Sequence, residues 1–120
     1  MSDGLLDGKE MLVVWSAFET TDQATSVARV LLEERLCACV QCFPAVQSLY
    51  HWQGCLHSSA ETAVCFKTTS RIVDRLVARL TALHPYEVPE IVVLPVQAVS
   101  AAYARWLYAE TGGGTIDAAS

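Results

Sequence analysis

Apolar and polar positions along the chain follow two different periods, and the places where one gives way to the other mark its elements. Met11-Leu12-Val13-Val14-Trp15 is a continuous apolar run, the pattern of a strand buried on both faces. Thr20 and Gln23 then fit a capping box, in which each side chain satisfies a free N–H at a helix start. Ala24, Val27, Ala28, Leu31 and Leu32 recur at helical spacing, with Glu33, Glu34 and Arg35 at the exposed end. From Cys37 to Trp52 the period becomes two: Val46, Ser48, Tyr50 and Trp52 share one face, and Gln47, Leu49 and His51 the other. Pro44 interrupts that run and predicts a bulge or an edge position, and Gln53-Gly54 marks a bend. Glu61 to Thr68 reads as a further strand, with Thr62, Val64, Phe66 and Thr68 opposite Glu61, Ala63, Cys65 and Lys67.

Ser70 is expected to cap a second helix whose apolar stripe is Ile72, Val73, Leu76, Val77, Leu80 and Leu83. Pro85 ends it, because a residue before proline is pushed out of helical geometry. Ile91 to Leu94 predicts a short buried strand closed by Pro95. A last helix is expected from Ser100 to about Glu110, turning Val99, Tyr103, Trp106 and Leu107 to one side. Gly112-Gly113-Gly114 would then release a flexible tail. The expected organisation is an N-terminal segment (1–10), one domain (11–110) and a tail (111–120). The order β-α-β-β-α-β plus a C-terminal helix predicts an α+β, ferredoxin-like sandwich with both crossover helices on one face of the sheet. The other face stays bare, and self-association would cover it.

Composition sharpens this picture. At 120 residues with 52% hydrophobic and 18% charged, one packed domain is expected, with apolar surface to spare for a partner subunit. A net charge of −5 with dispersed Lys and Arg argues against nucleic-acid binding. Met1 to Glu10 lacks the apolar run of a secretory signal, and Met11 to Trp15 is too short to cross a bilayer. Five cysteines, an odd number, suit a reducing compartment, so a cytoplasmic protein without membrane contact is expected.

Four segments in order carry a family resemblance: Ala28 to Val40, ending in Leu36-Cys37-Ala38-Cys39; Ser48-Leu49-Tyr50-His51-Trp52-Gln53-Gly54; Phe66-Lys67-Thr68; and His84-Pro85-Tyr86-Glu87-Val88-Pro89-Glu90. Tyr103 to Leu107 matches a closing Tyr-x-x-Trp-Leu. Over about residues 11 to 109 the chain resembles the CutA family. The resemblance implies a homotrimer held by extended β-hairpins, a role in tolerance of divalent metals (copper above all), and a likeness in shape to PII-type small-ligand sensor trimers. It implies no settled reaction, and neither a Ser/His/Asp set nor a phosphate-binding loop is present.

Cys39-Val40-Gln41-Cys42 has the spacing of a redox or zinc motif. On a strand, however, residues three apart point to opposite faces about 10 Å apart, too far for a disulfide. Copper sites in the resembled family imply a cysteine ending the first strand and paired histidines before Pro-Tyr. Here Ser16 and Leu83 stand at two of those places, which leaves His84, with Cys39 as a soft ligand. The plain alternatives are a His84 imidazole facing the last helix carbonyls and a Cys39 thiol in packing. A thiol-dependent enzyme built on Cys39 or Cys65 is a third reading. His51 and His57 flank the bend and are expected at the surface. Lys67, in an apolar strand, needs a partner or an anionic ligand; Glu61 is about 20 Å away along its own strand, so Glu87 or Glu90 is the expected partner. With Trp52, Tyr86 and Trp106 these residues are expected to line a small-ligand cleft between subunits, or to form an ion pair holding the subunits together.

Overall fold

The computed structural model describes residues 4–8 and 10–112. The elements are β1 (Leu5–Asp7), β2 (Met11–Phe18), α1 (Thr21–Glu33), β3 (Cys39–Trp52), β4 (Cys55–Thr69), α2 (Val73–Leu83), β5 (Val92–Pro95), β6 (Ala98–Ser100) and α3 (Ala101–Ala109). Four strands form an antiparallel sheet in the order β3-β4-β2-β5, and β1 pairs with β6 in a separate two-stranded ribbon. The expected ferredoxin-like fold is therefore present. Among the described residues no helix is long and apolar enough to cross a membrane.

Strand alternation decides which side chains meet. Val14, Phe18, Val64 and Phe66 point to one face and join Ala24, Val27, Leu31, Leu76 and Leu80 of the two helices in a continuous core. Phe18, Phe66, Leu31 and Leu80 are fully buried, each contributing about 1.5–3 kcal/mol through apolar area removed from water. On the opposite face, cross-strand rows run Leu94–Val13–Lys67–Cys39 and Val92–Trp15–Cys65–Gln41. These residues are half-buried or exposed, and Phe43 closes edge-on against Trp15 with ring centroids 5.7 Å apart.

The bulge predicted at Pro44 is there. Phe43 pairs with Ala63 and Val46 with Glu61, so Pro44 and Ala45 together oppose Thr62 alone, and Ala45 takes φ 62°. The extra residue shifts the side-chain parity of β3, so Cys39, Gln41 and Phe43 before it share the open face with Val46, Ser48, Tyr50 and Trp52 after it, the latter beside Glu61 and Ser59. Gln53 (φ 52°) and Gly54 (φ 78°) form a two-residue hairpin turn with both central residues left-handed. The long hairpin draws the chain out to 49 × 32 × 21 Å.

Several expectations are corrected. Thr20 accepts the Gln23 N–H at 3.1 Å, but the reciprocal half of the capping box is absent: Gln23 Oε1 is buried without a hydrogen-bond partner. Ser70 does not cap α2, whose N-cap is Ile72; its hydroxyl instead bonds Glu10 at 3.0 Å, and its N–H donates to the Glu10 carbonyl. The strand after the loop lies at the sheet edge, so Val92, Val93 and Leu94 are 41–42% exposed in place of buried. The strand preceding α2 begins at Cys55, earlier than Glu61, because the tight turn lets pairing start at once. The ribbon of β1 and β6 was not anticipated; Gly8 sits there against the Val96 carbonyl, where a Cβ would lie 2.5 Å away. At the other end, Thr111 is fully buried and the Gly112 N–H donates to the Arg35 carbonyl at 2.8 Å. The expected tail from 113 to 120 lies outside the described residues.

Arg35 (φ 60°) ends α1 in the left-handed conformation. The Leu36 N–H reaches the Leu31 carbonyl and the Arg35 N–H the Leu32 carbonyl, a Schellman arrangement with arginine where glycine is usual. The Arg35 guanidinium pairs with Glu110 at 2.7 Å, tying the helix end to the C-terminal helix.

Candidate functional site

The segment from His84 to Glu90 leaves α2 and passes the end of β2. His84 is buried, its ring stacked on Phe18 with centroids 4.2 Å apart. Nε2 lies 2.9 Å from the Ala17 carbonyl, and Nδ1 accepts the Tyr86 N–H at 3.1 Å. Those partners fix the neutral ring with its proton on Nε2, since a carbonyl only accepts and an N–H only donates. Burial lowers the His84 pKa below the ordinary histidine value, with the Ala17 bond and the Glu61 charge acting in the opposite sense. The imidazole faces β2 and not the last carbonyls of its own helix.

Tyr86 then reaches across to β4. Its hydroxyl donates to Glu61 Oε2 at 2.7 Å. Burial first, and the Glu61 carboxylate second, push the phenol pKa well above its usual range, so it remains a donor. Around this bond opens a cleft of about 780 Å³ between the hairpin arm and the 84–90 loop, lined by Glu19, Tyr50, Trp52, Glu61, Glu87 and Glu90 among others. Tyr50 stacks on His57 across the hairpin and lies 3.3 Å from the Ser59 hydroxyl.

Of the residues expected to share one cleft, Trp52, Tyr86, Glu87 and Glu90 do so. Within one chain, Lys67 and Trp106 stand apart from them. Lys67 is on the same open face but six residues further along β4, about 20 Å from Glu61. Its ammonium sits 5.5 Å from the centre of the Tyr103 ring, and Tyr103 packs at 5.4 Å against Trp106, which is itself 43% exposed. Distance along the strand, not side-chain parity, separates Lys67 from Glu87 and Glu90. Glu61 and Glu19 are cleft residues that sequence reasoning missed. Counting back from the Gln53-Gly54 turn pairs Val46 with Glu61 and would have placed that carboxylate on the face of Tyr50 and Trp52.

The proposed metal ligands lie apart. Cys39 is on the open face beside Lys67, whereas His84 packs against Phe18 on the helix-covered side. Both His84 nitrogens are already bonded, and Ser16, at the place of the missing cysteine, is a buried hydroxyl with no hydrogen-bond partner. Among the described residues no group of three or more His, Cys, Asp or Glu side chains is placed to hold an ion. Within one chain these residues do not fit a resident copper. Two of the thiols are held protonated by burial, which raises Cys37 to about 12 and raises Cys65, where Lys67 only partly compensates. Tyr103 is raised to about 12, chiefly by burial, with the Cys39 thiol adding to the shift.

The CutA1 divalent ion tolerance protein family model matches residues 12–110. The divalent-cation tolerance protein CutA of Thermus thermophilus is 41% identical over 100 residues, covering 83% of this chain and 97% of that protein. A zebrafish CutA homolog is 35% identical over 73% of this chain, which spans only 59% of its length. In structure, CutA from Synechococcus elongatus superposes with a TM-score of 0.88 at 34% identity, over 92% of this chain and all of that one. A match across residues 12–110, in sequence and in fold, decides the assignment: the chain belongs to the CutA1 divalent ion tolerance protein family.

Proposed function

We propose that this chain works as a homotrimeric, non-enzymatic binding or regulatory protein of the cytoplasm in the response to divalent metal ions, copper above all. The metal part rests on family membership, since the Thermus relative carries the name divalent-cation tolerance protein. The assembly part rests on one observation, the two free edges of the sheet. On one side β3 offers its outer edge along the hairpin arm, with Phe43, Leu49 and Trp52 exposed; on the other β5 offers Val92, Val93 and Leu94. Unlike edges on opposite sides pair head to tail, and a head-to-tail contact that closes gives a ring. Five thiols suit a reducing compartment. Light scattering in dilute solution is expected to give three times the chain mass, and a monomer would overturn the reading.

The cleft favours a second reading, a small-ligand sensor of PII-like form. Its volume and its mix of aromatic and polar groups are those of a small-molecule site. On this reading metal response follows from what the trimer binds or regulates, with His84 structural. Copper titration of wild type, His84→Ala and Cys39→Ser separates the two: loss of uptake in either variant assigns that side chain to the metal.

A further inference from the structure

We draw no further inference here: the strongest candidate, the groove between the end of α1 and α2 that Leu36, Arg75, Ala78 and Ala82 line beside the Glu34–Arg79 ion pair, carries nothing, because nothing in the structure shows what covers it.

Discussion

His84 joins two elements through one ring: it accepts from the Tyr86 backbone, donates to the β2 carbonyl of Ala17 and stacks on Phe18. Protonation would place a second ring proton opposite the Tyr86 N–H, two donors facing one another. The folded pKa therefore lies below the unfolded one, and between the two values the unfolded chain binds more protons. Stability contributed by His84 is thus complete above the ordinary histidine value of about 6.5 and declines as pH falls through it. Urea unfolding at pH 7.5 and 5.5 should show a larger loss for wild type than for His84→Phe, which keeps the stack and cannot titrate. Equal losses would show that the ring is not the group responsible. The same hydrogen bonds explain why a residue that looks like a ligand in sequence is unavailable as one in the fold.

At the scale of elements, the turn and the β3 bulge divide the work. The two-residue turn sets Tyr50 and Trp52 on the face of Glu61, and the extra residue at Pro44-Ala45 brings Cys39, Gln41 and Phe43 onto that same face, where an unbroken strand would have turned them toward the helices. Ala45 carries the conformational cost of that device at φ 62° and is exposed. Ala45→Gly is expected to stabilise by about 0.5 kcal/mol, the relief of left-handed strain less the entropy glycine adds to the unfolded chain. A rise in the urea midpoint at constant slope would show it, whereas a fall would mean that the Ala45 methyl contributes packing. The bulge was legible because proline announces it, and the core faces of β2, β4 and both crossover helices were legible because their periods are unbroken. The ribbon of β1 and β6 was not: three-residue strands leave no period, and pairing Leu5 with Ser100 is a tertiary event. The candidate site was half legible. Trp52, Tyr86, Glu87 and Glu90 converge within one chain, whereas the length of β4 sets Lys67 at the other end of the face, so the expected grouping with Lys67 is one that only a neighbouring subunit could complete.

For the whole molecule, the unequal ends of the open face matter most. One end carries the cleft, the other Lys67, Tyr103 and Trp106, and between them Trp15, Phe43 and Val92 present apolar surface. Leu94 stands on that face in the edge strand β5, 41% exposed. Leu94→Lys adds a charge that burial against a neighbour would have to desolvate. Its expected effect is a light-scattering mass reduced toward a single chain with an unchanged far-ultraviolet spectrum; an intact trimer would remove β5 from the interface. The sheet order also separates early contacts from late ones. Trp52 meets Cys55 across a two-residue turn, whereas Leu12 meets Pro95 only after almost the whole domain has been looped out. Loop-closure entropy makes the hairpin the inexpensive contact and the docking of β5 the costly one. In the proposed trimer, the strand that closes the fold last is also one that would meet a neighbour, so completing one subunit and recruiting the next would be coupled steps on a single edge.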